Sequence, residues 1–584
     1  MAIPRKWYNE AVFYHIYPLG LTGAPKQNSY GTVEHRLNTL LPWIEHLKNS
    51  GITALYIGPL FESVGHGYET TDYKKVDSRL GDNADLKNFV SECHKNGIRV
   101  VLDGVFNHTG RDFFAFKDIK QNRENSVYKD WYCNVNFRGN NEYNDGFSYA
   151  NWGGYNLLAK LNQKHPAVRD YLCDVVRFWV QEFDIDGIRL DAADVLDFSF
   201  MQALRRTADE VKPDFWLMGE VIHGDYNRWV NDNTLHSVTN YHLHKALYSG
   251  HNDHNYFEIA HTVKRLHEMT ANGSPMQLYN FTDNHDVERI YTKLTNKTHF
   301  LPTHILLYTL PGVPSIYYGS EFGIEGKKER HSDDSLRPCL SLEELQKDTQ
   351  KSTFVKIISR LGEVRKNLPA LSYGDYKEVL LTNRQYAFTR NLDGQTVLVC
   401  VNNDDNAATL TLHNANGTYT GLLSGAKVTA KDGNLSISLP ANSGEIFVCT
   451  DKKIEPAVLP QIQPIKAKKE PVKVAELPAK PTPIATVKTE AKKQVATPPA
   501  QPVQTPTPQP APAAKPKADA NEPTPDFCDC IPTDKTYEEM TIEQLQQVIF
   551  EKMKKNGPVT ERMYKDIADN IWHNSLVNWA KSFG

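Results

Sequence analysis

Four short segments of this chain put carboxylates at or just beyond the ends of apolar runs: Asp103-Gly-Val-Phe-Asn-His108, Gly187-Ile-Arg189-Leu-Asp191, Met218-Gly-Glu220-Val and Asp283-Asn284-His285-Asp286. Any single acid in such a place is more often a helix cap or a surface charge than a reacting group. Four of them, spaced along an alternation of strands and helices, are different, because a closed barrel gathers its strand ends around one mouth. Asp191, Glu220 and Asp286 would meet there. Carboxyls held together raise each other's proton affinity, so that one keeps a proton near neutral pH. Arg189 lies two residues before Asp191 on the same strand face and can pair with it, holding it ionised. The chemistry on offer is nucleophilic attack and proton transfer by paired acids.

The elements that must carry these acids are legible as apolar runs. Strands are expected at 11–18, 54–61, 99–107, 187–194, 215–221, 237–241, 277–286 and 314–323, with segments of helical length between them. In 165–183, Val168, Leu172, Val175 and Trp179 fall on one face and Pro166 sits in the first turn. Eight such strands with helices between them predict an α/β fold, a (β/α)8 barrel over residues 1–372. One connection is too long for a plain loop: 109–164 is rich in Asn, Gly and aromatic residues, which predicts an inserted subdomain beside the active face. From 373 to 451 the pattern turns to short alternating runs with turn signals at Asn391-Leu-Asp-Gly and Lys431-Asp-Gly-Asn, a small antiparallel β-sandwich. Residues 452–526 are dominated by Pro, Ala, Lys, Val and Thr and read as a disordered linker. In 527–584, Thr541-x-x-Gln544 opens an amphipathic helix with Leu545, Val548, Ile549 and Met553. A second helix carries Met563, Ile567, Ile571 and Trp572. This helical module is either inert or a site of docking or self-association, since two short helices bury little surface alone.

At 584 residues the chain needs several domains, and its formal net charge of −4, evenly mixed, gives no reason to expect nucleic acid or an anionic membrane as partner. No run of about 18 apolar residues predicts a membrane span. The first strand begins so early that no export signal is expected, and the eight scattered cysteines suit a reducing, cytoplasmic setting. Cys528 and Cys530 are too sparse for a zinc site without other ligands.

These segments resemble the signature regions of glycoside hydrolase family 13, the α-amylase family. The resemblance extends from about Ala11 to Cys449 and includes His66-Gly-Tyr68, Thr71-Asp72-Tyr73 and Pro311-Gly-Val-Pro-Ser-Ile-Tyr-Tyr-Gly319. It implies that Asp191 is the nucleophile, Glu220 the general acid/base and Asp286 the transition-state stabiliser. Arg189, His108 and His285 would then bind glucose, with Tyr68 as the platform beneath the reacting sugar. Such a pair of acids, roughly 5 Å apart, leaves no room for a water and gives retention of configuration. The implied activity is retaining hydrolysis of α-linked glucose polymers with no required cofactor.

Trp152-Gly-Gly and Leu158-Ala-Lys-Leu-Asn162 resemble the neopullulanase and cyclomaltodextrinase branch. This chain departs from that branch at Ala159, usually Pro, and at Ile222, usually aromatic; with the first strand expected from residue 11, the branch's N-terminal domain is not expected here. Asp194 and Val195 replace the Lys-His pair of starch-degrading α-amylases, and a carboxylate at Asp194 favours binding sugar hydroxyls. The expected substrates are maltooligosaccharides, cyclodextrins and starch fragments. An α-glucosidase or glucosyl transferase is the rival within the family, and a catalytically silent binding or assembly subunit the rival outside it. Asn107 matches a calcium ligand of many members, and oxygen donors suit that ion. The backbone site normally given by a His falls at Val195, so a calcium-binding and a purely structural Asn107 are both open at this point.

Overall fold

Side-chain alternation along each strand decides what faces inward. The computed structural model describes residues 3–271, 273–330, 332–450, 456, 459, 536–537, 540–556 and 580. Eight parallel strands, β1 (Phe13–Ile16), β2 (Ala54–Ile57), β3 (Arg99–Gly104), β4 (Gly187–Leu190), β5 (Trp216–Gly219), β6 (Ser237–Val238), β7 (Tyr279–Phe281) and β8 (Val313–Tyr317), pair in chain order, and β8 returns to β1. A parallel bridge from Thr239 to Tyr279 joins β6 to β7 and closes the ring. Every expected barrel strand is present and shorter than expected, β8 beginning one residue early at Val313. Phe13, Tyr56, Val101, Trp216, Met218 and Phe281 belong to one buried cluster, the barrel interior. Their neighbours Tyr14, Leu55, Val100, Leu102, Leu217 and Ile316 belong to the larger core beneath the helices. Both faces of each strand are therefore buried, which is why these strands read as continuous apolar runs.

The long connection after β3 is folded. It holds the helix Phe114–Asn122 and the strands Asn151–Trp152 and Tyr155–Lys160, the second of which pairs with His108–Thr109. Phe116, Ile119, Tyr132 and Phe147 give it buried apolar mass. Arg111 and Asp145 pin it with an ion pair of 2.7 Å, one-tenth exposed on each side.

Eight further strands follow: β9 (Lys377–Leu381), β10 (Gln385–Leu392), β11 (Gln395–Asn402), β12 (Ala408–His413), β13 (Thr418–Gly421), β14 (Lys427–Thr429), β15 (Asn434–Leu439) and β16 (Ser443–Cys449). Six form an antiparallel sheet in the order β9-β10-β11-β16-β13-β14, and β12 pairs with β15 as a second layer. Alternation again sorts the faces. Ala387, Leu398, Cys400 and Phe447 pack with Leu410, Leu435 and Ile437 of the small layer. Tyr386, Phe388, Val399 and Ile446 join the barrel core instead. Helix Phe300–Thr309 lies on that seam and is buried at almost every position. Its last carbonyls accept hydrogen bonds from two buried arginines, Arg365 to Tyr308 O at 3.0 Å and Arg390 to Thr309 O at 2.9 Å. A cation there complements the negative end of the helix dipole.

The contacts divide the chain into two compact units, 1–465 and 466–584. In the second, the helix Ile542–Asn556 opens as its sequence predicts. Gln544 N donates to Thr541 Oγ1 at 3.3 Å, and Thr541 N donates to Gln544 Oε1 at 2.9 Å, while Leu545, Val548 and Ile549 are buried. Apart from Pro456 and Leu459, the linker expected over 452–526 lies outside the described residues, as do Cys528, Cys530 and the expected helix around Met563, Ile567, Ile571 and Trp572.

Candidate active site

The acids stand where the inward alternation of each strand reaches the barrel mouth. Asp103 follows inward-facing Val101 on β3 and is directly opposite Arg189 on β4. Asp191 is the next inward residue after Arg189, and Glu220 the next after Met218, each one step beyond its strand. Asp191 N donates to Gly104 O at 3.1 Å and Glu220 N to Leu190 O at 2.9 Å, so the sheet ladder itself fixes both backbones. Between them Ala192 adopts a left-handed conformation, φ 45° and ψ 46°. An alanine pays strain for this, and the turn aims its N–H at Glu220 Oε2, 3.1 Å away.

One guanidinium holds the centre together. Arg189, 3% exposed, places Nη1 at 2.9 Å from Asp103 Oδ1 and 3.0 Å from Asp191 Oδ1, and Nη2 at 2.7 Å from Glu220 Oε2. Asp191 and Glu220 retain 12% and 14% of their side-chain surface, so the pair is reachable from the mouth. Asp286 is held by partners of its own. His285 Nε2 is 3.1 Å from its Oδ2, and Arg337 Nη2 donates to its Oδ1 at 2.8 Å. Its amide is tied by Asn284 Oδ1 at 2.9 Å.

Burial is the leading influence on Asp191, Glu220 and Asp286, and the neighbouring charges decide the outcome. Burial alone would raise Asp286, but the adjoining His285 ring, itself neutral, and the charges of Arg337 and Lys328 hold its carboxyl below the usual carboxylate range. Burial raises Glu220 and the Asp286 charge adds to it, against the pull of Arg189. Asp191 is raised by burial too, with Glu220 and Asp103 opposing Arg189. The two share one counter-ion, Arg189, and both are pushed toward the protonated form. Burial lowers His108 and His285 to about 3, so both rings are neutral.

The remaining sequence candidates fall as follows. Tyr68 OH lies 2.5 Å from His285 Nε2 and donates to Asp103 Oδ2 at 3.3 Å, with the Tyr68 and His285 rings stacked at 13°. His108 Nε2 is 3.1 Å from Tyr68 O. Asp194 is exposed on the short turn Ala193–Val195. Four participants were not singled out from sequence. Tyr56 donates to Asp103 Oδ2 at 2.8 Å and Tyr241 to Glu220 Oε1 at 3.3 Å. Arg337 also donates from Nε to His285 O at 3.0 Å, and His15 stacks on Tyr56 with ring centroids 4.2 Å apart. Tyr56 and His15 carry a signal in hindsight, since they sit at inward positions of β2 and β1. Arg337 carries none, being in an irregular loop after β8.

Residues 27–367 match the family model described as "Alpha amylase, catalytic domain", and 374–447 match "Alpha-amylase C-terminal domain". The chain belongs to the α-amylase family. It is a glycosidase of that type, an O-glycosyl hydrolase. It is 32% identical over 433 residues to a cyclomaltodextrinase of Bacillus sp, covering 70% of this chain and 75% of that protein. It is likewise 32% identical over 474 residues to neopullulanase 2 of Thermoactinomyces vulgaris, covering 76% and 78%. Among solved structures, one named cyclomaltodextrinase superimposes with a TM-score of 0.67 at 28% identity, over 76% of this chain and 78% of that one.

Calcium is bound by some α-amylase-family proteins, and Asn107 was the residue to test. Its Nδ2 is 3.1 Å from His108 Nδ1, and its Oδ1 is buried without a hydrogen-bond partner. That oxygen alone is a donor such an ion takes. Among the described residues, the one group of three His, Cys, Asp or Glu donors close enough to share an ion is His35, Asp82 and Asp85. Asp82 and Asp85 there form the capping box of helix Asn83–Lys95. A hard cation prefers six or more oxygens with carboxylates among them. Asn107 is not in that group, and its unpartnered Oδ1 is one oxygen such an ion could take.

Proposed function

We propose that the chain hydrolyses α-1,4-linked glucans, chiefly maltooligosaccharides, cyclodextrins and starch fragments, with retention of configuration. In this reading Asp191 attacks the anomeric carbon while Glu220 gives its proton to the departing glycosidic oxygen. Glu220 then takes a proton from water, which attacks the same carbon, and the Asp191 ester is released. Asp286, kept ionised by the charges of Arg337 and Lys328, stabilises the positive charge that develops on the sugar. His108, His285, Arg189 and Asp194 are assigned to sugar hydroxyls and Tyr68 to the sugar's apolar face. The observation that carries the reading is the single guanidinium of Arg189 bonded to both Asp191 and Glu220. A shared guanidinium keeps the two carboxyls at the scale of the roughly 5 Å separation of retaining pairs. The names of the relatives support the substrate class.

The test is a time course on maltotriose, maltohexaose, β-cyclodextrin, pullulan and soluble starch, with the anomer of the first product read by NMR. Retained α-anomers and cleavage of cyclodextrin are expected. Inverted product, or rapid endo-cleavage of starch with cyclodextrin untouched, would count against the reading. We assign catalysis to 1–372, docking or self-association to 527–584, and the whole to the cytoplasm. The six described cysteines are all unpaired, as a reducing compartment favours. No helix among the described residues is long and apolar enough to cross a membrane.

A further inference from the structure

The inserted subdomain carries a hairpin whose tip is an exposed aromatic ring. Gly153 and Gly154 have φ values of 62° and 85°, the backbone a two-residue hairpin turn demands. The turn sets Trp152 directly opposite Tyr155, and residues directly opposite share a face. The half-buried Trp152 ring lies 6.1 Å from the His108 ring, and His108 Nε2 is 3.1 Å from Tyr68 O. Trp152 therefore reaches back toward His108, which in turn meets the Tyr68 backbone, and Tyr155 stands beside Trp152 at the hairpin's tip. Tyr155 is 64% exposed, more than any other aromatic among the described residues whose exposure is this large.

The backbone that carries this ring is held in place. A Cβ at Gly153 would come within 3.3 Å of Tyr155 Cδ2, so the ring lies across the glycine. The hairpin behind it is pinned by Tyr149 OH donating to Asn156 O and by Asn151 Nδ2 donating to Asn156 Oδ1, both 2.7 Å. Arg111 in turn donates to Tyr149 OH at 2.7 Å. An aromatic face fixed before a ligand arrives loses little freedom on binding, and its apolar surface suits the C–H face of a pyranose.

We propose that Tyr155 is a specificity-determining residue that stacks on glucan units beyond the reacting sugar, giving the enzyme a preference for longer chains. This rests on the glucan reading above. The experiment compares kcat/KM on maltohexaose with kcat/KM on maltotriose for wild type, Tyr155→Ala and Tyr155→Trp. Tyr155→Ala lowers the maltohexaose-to-maltotriose ratio about 3- to 10-fold, and Tyr155→Trp restores it. An unmoved ratio overturns the assignment, and so does an equal fall on both substrates, which marks a loosened hairpin. A wild type inactive on both glucans refutes the glucan reading and this assignment with it. An active wild type with an unmoved ratio refutes the assignment alone.

Discussion

Arg337 offers the sharpest test of how the acids are tuned. Arg337→Met keeps an apolar stem near the Tyr17 ring, over which the guanidinium sits at 4.8 Å. It removes the 2.8 Å bond to Asp286 Oδ1 and the 3.0 Å bond to His285 O. A hydrogen bond to a charged group contributes about 1.5–3 kcal/mol. Asp286 keeps 30% of its side-chain surface, so water recovers part of that loss. A cost of about 2 kcal/mol in the transition state corresponds to about a 30-fold fall in kcat/KM. The pH profile gives the second signature. Burial pushes the Asp286 carboxyl up, and Arg337 is among the charges holding it down. Without Arg337 that carboxyl titrates higher, the ionised form is lost earlier on acidification, and the acid limb of kcat/KM moves to higher pH. Arg337→Lys keeps the charge without the planar fork and falls between the two. The assay is initial-rate kinetics on maltotriose from about pH 4 to 8. A kcat/KM within about two-fold of wild type, with an unmoved acid limb, refutes the claim that Arg337 sets the charge of Asp286.

Three further outcomes are expected. Asp191→Asn and Glu220→Gln each lower turnover by about 10³-fold or more while the thermal transition stays near that of wild type; near-normal turnover in either overturns the role assignment. Exhaustive chelation leaves activity and Tm unchanged, whereas a loss that added calcium restores would mean that Asn107 belongs to a cation site. Asp186, 2% exposed, should make stability acid-sensitive. Burial would raise its carboxyl, but hydrogen bonds from His94 and Val100 N–H and the charge of Lys212 hold it at about 2. Its folded pKa is depressed, so its contribution of about 2 kcal/mol is present above the unfolded value near 3.9 and fades as pH falls through about 2. Asp186→Asn should therefore lower Tm at neutral pH, with a gap to wild type that closes in strong acid; a pH-independent gap would contradict this.

The sequence by itself determined the barrel, because eight strands buried on both faces must be apolar throughout and their ends must carry the polar groups. It singled out Asp191, Glu220 and Asp286 as candidates from the polar groups that follow those strands, the first two one residue past a strand end and Asp286 five past β7. The cap at Thr541 and Gln544 was equally legible, since it depends on residues three apart. Strands β9, β13 and β14 were not, being short and half-exposed with weak alternation, and helix Phe300–Thr309, buried on all sides, shows no polar face to mark it. Tertiary structure alone decided that Arg189 serves three carboxylates at once and that Arg337 reaches Asp286 across 51 residues of chain. It also left Asp194 on an exposed turn and Asn107 with one unpartnered oxygen. Periodicity reports which face of an element is buried. It says nothing of which loop a closed barrel brings over that face, and the charges that tune these acids come from such loops and from neighbouring strands.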